Sequence, residues 1–358
     1  MPDRTDSRSL PLLARLPDVR KVALVRASRI GDFVCATPAF RALRSRLPDA
    51  QVTLVGLPFV APLARRSPSI DRFIPFPGFP GIAEQLFDAR KALRSLKRLQ
   101  AERFDLAVQM HGTGVYSNTY TLMLGARATA GFVRDGDGPG RLDAAFAMPS
   151  SGREAERLLA LAGFLGAPSV GSTCELPLLP ADRLAADRLL RGVPAPFIGV
   201  HPYARKAEKR WPAWCFAAAA AALRRRHGGT VVVLGEGEAG PHSAAGAFAQ
   251  HGDPPMLDLT CRTSLPVLGA VIERLAVLLT NDSGPAHIAY ALGVPTVTIF
   301  GETDPDRWGP PDNGPFRAVV RDLPCRPCAE DGCPSGYACL RGISVDQVVE
   351  AASEVIRT

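Results

Sequence analysis

Residues 280–301, TNDSGPAHIAYALGVPTVTIFG, constrain the fold more than any other stretch. The apolar run 275–279 before them predicts a buried parallel strand, which stops at Asn281, Asp282 and Ser283, residue types that favour caps and turns. A helix should follow at once. Gly284 and Pro285 let the chain turn and pre-set the first helical position, while Ile288, Ala291 and Leu292 form an apolar stripe that ends at Gly293. Residues 294–300 then read as the next strand. A unit of this kind belongs to an open α/β sheet, whose ligands bind beyond the carboxyl ends of the strands, where the first N–H groups of a helix and its dipole favour an anion. The expectation is a diphosphate pocket, although Asp282 and Ser283 also fit a plain helix cap.

Similar units recur along the chain. Residues 22–25 predict a strand; Gly31 marks a tight turn and Thr37-Pro38 a helix start, with Phe40, Leu43 and Leu47 at helical spacing. Asp32, between them, reads by itself as a helix N-terminal carboxylate. Residues 52–56 and 104–108 are the next strands, and 84–103 a long basic helix with Arg90, Lys91, Arg94, Lys97, Arg98 and Arg103 over Leu86, Leu93, Leu96 and Leu99. Its cations suit either a solvated face or the phosphates of an anionic membrane. His111 sits in a Gly-containing loop that could border a cleft. Asp135 and Asp137, in the Gly-rich loop 131–140, match a divalent-cation pattern, but no strand delivers them. Residues 150–166 and 180–192 predict helices, with Arg153, Glu156 and Arg157 outside.

The best linker is 193–196, and the strand pattern restarts at 197. This divides the chain into a flexible segment 1–20, a first domain 21–192, a second domain 197–340 and a closing helix within 341–358 that could return to the first domain. After the restart, four cations stand close together: Arg205, Lys206, Lys209 and Arg210. They could balance a leaving diphosphate or form a solvated loop. Strand 230–234 runs into 235–240, a Gly-x-Gly-x-x-Gly pattern with Asp258 further on, which would suit an NAD-linked oxidoreductase. Glu236 and Glu238, however, would put negative charge where a pyrophosphate should sit.

With 358 residues, 46% of them hydrophobic, the chain can build two ordinary domains, and no apolar run approaches the length of a membrane span. The net charge of +7 points to an anionic partner such as a phosphorylated lipid or membrane face, and no nucleic-acid motif accompanies it. Of the eight cysteines, Cys325, Cys328, Cys333 and Cys339 crowd together, as in a thiolate site for zinc or an iron-sulfur centre, or as reduced thiols packing a small knob.

Three of these motifs in this order, Gly31-Asp32, Lys209 before Trp211-Pro212, and residues 281–301, resemble glycosyltransferase family 9, the ADP-heptose:lipopolysaccharide heptosyltransferases and their relatives. The resemblance implies a GT-B fold, two doubly wound Rossmann-like domains facing a central cleft, and an inverting transfer that needs no metal or cofactor. It assigns the catalytic base to Asp32, preceded by Gly31. It assigns the donor diphosphate to Lys209, Ser283, Gly284 and His287, and the donor hydroxyls to Asp282. The ribose falls to Glu238, or to Glu236. The implied partners are a nucleotide-sugar donor and a glycolipid or oligosaccharide acceptor of lipopolysaccharide type. The implied location is cytoplasmic, with contact at the inner face of the inner membrane. A non-catalytic carbohydrate- or lipid-binding relative is the alternative alongside the oxidoreductase.

Overall fold

The computed structural model describes residues 10–236, 246, 248, 256–328, 333 and 335–357. The chain divides into two compact units, Met1–Pro177 and Leu178–Thr358. In the first, the strands are β1 (Lys21–Arg26), β2 (Gln51–Gly56), β3 (Arg72–Pro75), β4 (Leu106–Gln109), β5 (Ala128–Val133) and β6 (Ala144–Ala147). They form one parallel sheet in the order β3-β2-β1-β4-β5-β6. In β1, Val22 to Val25 are almost wholly buried, as expected of a strand flanked on both sides and covered on both faces. Sequence reading finds β1, β2 and β4 but not β3, β5 or β6. These lie in segments whose Pro, Gly and Ala content hides the β-branched signature.

The helix behind β1 begins at Ile30 and runs to Arg46, so Thr37-Pro38 lies inside it and does not start it. A proline there removes the N–H that would bond to the carbonyl four residues back. Thr37 compensates: its hydroxyl donates to the Val34 oxygen, the acceptor left over, at 2.7 Å, and accepts from the Glu175 N–H at 2.9 Å. At the helix start, Asp32 occupies the third position and accepts from the Arg29 N–H at 3.3 Å.

Two further expectations change in this unit. The basic helix is Ala89–Ala101, capped by Asp88, and it buries Ala92, Leu96 and Leu99 while Leu86 and Leu93 stay exposed. Arg157 points inward, where its guanidinium donates to the carbonyls of Ser150, Ser151 and Gly152.

In the second unit the strands are β7 (Phe197–His201), β8 (Thr230–Val233), β9 (Met256–Asp258), β10 (Val277–Asn281), β11 (Thr296–Phe300) and β12 (Phe316–Val320). Their order is β12-β11-β10-β7-β8-β9, which counted from β7 is the order of the first sheet. The predicted helix after β10 is present as Gly284–Leu292, and Gly293 adopts the left-handed cap. Helix Pro180–Leu189 packs on helix Leu265–Ile272, and Arg183 grips Glu273 through two bonds of 2.8 Å. The boundary therefore falls before this helix, and the 193–196 turn lies inside the second unit. The closing helix, Val345–Arg357, buries Val348, Val349, Ala352 and Val355. It lies against helix Ala213–His227 and strands β10 to β12, so its apolar face is used within its own unit. Among the described residues, no helix is long and apolar enough to cross a membrane.

Replacing Thr37 by Val should cost about 2 kcal/mol, because the Val34 carbonyl and the Glu175 N–H lose a buried partner. Replacement by Ser should keep most of the stability. Urea unfolding midpoints of the two variants check this.

Candidate active site

Both sheets have a switch point, where the connections from two adjacent central strands leave on opposite faces and open a crevice at the strand ends. In the first unit it lies between β1 and β4. Arg26, the last residue of β1, is 3% exposed and organises the local charges. Its Nη2 donates to Glu154 Oε1 at 3.1 Å and to Asp32 Oδ1 at 3.3 Å; its Nε donates to the Asp32 carbonyl at 2.9 Å, and its Nη1 to the Met110 carbonyl. Glu154 is buried, whereas the Asp32 side chain keeps 28% of its surface, so one of the two carboxylates can meet a ligand. Gly31 is buried behind it. Beside them His111 Nδ1 lies 3.0 Å from the Ser28 hydroxyl, and its Nε2 lies 3.7 Å from Glu84. Burial pulls the His111 pKa down and Glu84 partly offsets this. The sequence offered Asp32 and His111. It gave no sign of Arg26 or Glu154, because their pairing spans 128 residues.

The second switch point lies between β7 and β10, which end at His201 and Asn281. Asn281 is fully buried; its oxygen accepts from the Trp211 N–H at 2.9 Å and its nitrogen donates to the Pro202 carbonyl at 2.9 Å, tying the 202–211 loop to the sheet. Trp211, itself buried, donates from Nε1 to the Ile343 carbonyl at 3.2 Å. Ser283 stands at the N-cap of helix Gly284–Leu292, yet its side chain makes no capping bond. Its hydroxyl lies 3.2 Å from His201 Nδ1 and donates to the Asn281 carbonyl at 3.1 Å. The Ser283 side chain therefore claims none of the first-turn N–H groups, although the Ala286 N–H donates to the Ser283 carbonyl at 3.1 Å and Pro285 has no N–H to offer.

Lys209 reaches this helix start through Asp282. Its Nζ lies 2.7 Å from Asp282 Oδ2, which also accepts from the Thr303 hydroxyl at 2.7 Å, and His287 Nε2 is 3.9 Å from Oδ1. Asp282, expected to meet donor hydroxyls, is 3% exposed and bonds Lys209 and Thr303 in this structure. His287 is buried, with its ring edge against Tyr290 and Trp308. The four-cation cluster is less free than its sequence implies. Lys206 pairs with Glu302 at 3.3 Å, and Arg210 donates to the carbonyls of Ala204 at 2.5 Å and Arg205 at 3.1 Å. Close packing fixes the loop: a Cβ on Gly301 would come within 2.1 Å of the Glu208 carbonyl.

Glu238 and residues 237–240 lie outside the described residues, while Glu236 is exposed. In the first unit Asp137 pairs with Arg134 at 2.9 Å. Cys325 is exposed, Cys328 and Cys333 are half-buried, Cys339 is buried, and all four are free thiols. Burial raises the pKa of Cys328 and Cys339, while hydrogen bonds from Ser335 and then Tyr337 lower that of Cys333. Among the described residues no three His, Cys, Asp or Glu side chains come together to hold a metal ion, although Cys325, Cys339 and Cys333 lie near enough to Cys328 to add to the rise in its pKa.

Known proteins place these features in a family. The family model for glycosyltransferase family 9 (heptosyltransferase) matches residues 92–338. Lipopolysaccharide heptosyltransferase 3 of Escherichia coli is 25% identical over 314 residues, covering 83% of this chain and 88% of that protein. Among solved structures, a glycosyl transferase family 9 protein from Veillonella parvula superposes with a TM-score of 0.80 at 21% identity, over 95% of this chain and 98% of that one. The E. coli ADP-heptose lps heptosyltransferase II gives a TM-score of 0.73 at 22% identity, over 94% and 98% of the two chains.

His201 supplies a pH test of the second switch point. Burial holds its pKa down to about 4, below the 6.5 of an unfolded chain. Between those values the unfolded chain binds more protons, so the stability contributed by neutral His201 is full above pH 6.5 and falls as pH drops to 4. The loss should total on the order of 3 kcal/mol. Urea unfolding at stepped pH should show that slope in the wild type and a shallower one in His201→Gln.

Proposed function

This chain belongs to glycosyltransferase family 9, and from that premise we propose that it moves a heptose from ADP-heptose to a hydroxyl of a lipopolysaccharide-type acceptor, on the cytoplasmic side, with inversion and without a metal. The names of its relatives supply the donor and acceptor classes. The observation that carries the chemistry is the exposed edge of Asp32, held by a buried arginine at one switch point. Lys209 and a helix start without a side-chain cap occupy the other.

The step is a single displacement. Asp32 takes the proton of the acceptor hydroxyl as its oxygen bonds to the anomeric carbon, and the bond from that carbon to the diphosphate oxygen breaks. The nucleoside diphosphate leaves with the electron pair. Lys209 and the helix dipole at Ser283 and Gly284 would meet that charge, which is the support for a transfer without a metal. Asp282, bonded by Thr303, sets the position of the Lys209 ammonium, and His287 closes the same wall. Glu238 is proposed to take the ribose hydroxyls. Neither the oxidoreductase nor the non-catalytic reading is favoured by the family, and release of ADP from the sugar donor excludes the second directly.

Asp32→Asn should lower kcat by at least about a hundredfold, the usual scale for a lost general base, and leave donor binding largely unchanged. Lys209→Ala should weaken donor binding roughly tenfold or more. ADP-release kinetics and calorimetric titration with ADP check the pair. Normal turnover by Asp32→Asn refutes the assignment of the base.

A further inference from the structure

On the first unit an apolar surface and a cationic one lie side by side. Helix Ala89–Ala101 buries one face and carries Arg90, Lys91, Arg94 and Lys97 on the rest, with no acidic residue along its length. None of these four cations forms an ion pair among the described residues. Leu93, a turn from Arg90 and from Lys97, is 59% exposed, and just ahead of the helix Leu86 is 90% and Phe87 48% exposed. Single exposed leucines are ordinary; a group of them ringed by cations is not.

The group extends beyond the helix. A Cβ on Gly78 would lie 2.4 Å from the Leu86 carbonyl, and one on Gly81 would lie 2.3 Å from the Tyr116 ring, so the 78–81 turn joins two exposed segments. Tyr116 is 54% and Val115 48% exposed. The same surface borders the proposed base, because Glu84 faces His111 at 3.7 Å and His111 in turn meets Ser28, on the loop that leads to Asp32.

We propose that this face docks on an anionic lipid bilayer, with Leu86, Phe87, Leu93 and Tyr116 entering the headgroup region and Arg90, Arg94 and Lys97 meeting lipid phosphates. The proposal rests on the transfer reading, since an acceptor anchored in lipid offers its sugar hydroxyl at that depth. The chemistry selects this occupant. A second copy of the same face would set like charges against each other, and a nucleic acid would satisfy the cations but leave the apolar side chains in water. A bilayer interface takes both.

The test is co-sedimentation of the full chain with vesicles of phosphatidylglycerol and phosphatidylethanolamine, against vesicles of phosphatidylcholine alone. Binding to the first and at least about tenfold weaker binding to the second is expected. Neutralising Arg90, Arg94 and Lys97 to Gln should weaken binding on the order of a hundredfold, at roughly fivefold per cation. Leu86→Ser, Phe87→Ser and Leu93→Ser together should also release the protein although its charge is unchanged. Both variants should release ADP at the wild-type rate with a delipidated, water-soluble acceptor, which shows that they fold. Failure of the wild type to bind anionic vesicles overturns the proposal, and so does a serine variant that binds as well as the wild type. Normal ADP release without vesicle binding removes this inference alone, whereas no ADP release from any sugar donor removes the transfer reading and leaves vesicle binding to be judged separately.

Discussion

A parallel sheet whose first strand lies in its interior must send successive connections to opposite faces, and the crevice this opens at the strand ends governs everything else in the molecule. Both sheets have that order, and both place their charged and hydrogen-bonding residues at its switch point. Arg26 ends β1, while His201 and Asn281 end β7 and β10. The flanking strand interiors are sealed hydrocarbon, so the strand ends are where polar side chains can be partly buried and still meet a ligand.

The two crevices differ in charge. In the first, one buried guanidinium serves two carboxylates, a buried Glu154 and a partly exposed Asp32. In the second, Asp282 is nearly sealed and its charge is met by Lys209, with Thr303 adding a hydrogen bond. A carboxylate so placed would be costly alone, and removing Lys209 would leave it as an uncompensated buried charge. The pair is close to neutral, so the attraction for an anion comes from the half-exposed ammonium, the helix start and the exposed Arg205 together and not from four free cations.

Local pattern made part of this legible. The strand, turn and helix at 275–301 follow from apolar runs, a Gly-Pro start and a Gly stop, all of which act within a few residues. Asp32 and Lys209 were reached by short motifs. What the sequence did not disclose depends on contacts between distant residues: Arg26 with Glu154, Thr303 with Asp282, and His201 with Ser283. The same holds for boundaries. Residues 193–196 look like a linker, but helix Pro180–Leu189 joins the second unit through its packing on Leu265–Ile272 and the Arg183 grip on Glu273. Thr37-Pro38 looks like a helix start because the Thr37 hydroxyl that lets Pro38 sit inside a helix is held in part by the Glu175 N–H, a partner distant in the chain.

The first crevice holds two groups that could accept a proton, and their surroundings separate them. His111 is mostly buried, its Nδ1 meets Ser28, and desolvation disfavours the cation it would become, so a proton given to it is poorly held. Asp32 becomes neutral on accepting a proton, which costs no desolvated charge of its own. Its loss of charge would leave a buried Arg26 unpaired if Asp32 were the sole partner, and such a cation is expensive. Glu154 removes that difficulty, since it is a second, buried partner of Arg26, at 3.1 Å. With Asp32 as the proposed base, the buried glutamate would let that partly exposed aspartate change charge without unmaking the site around it.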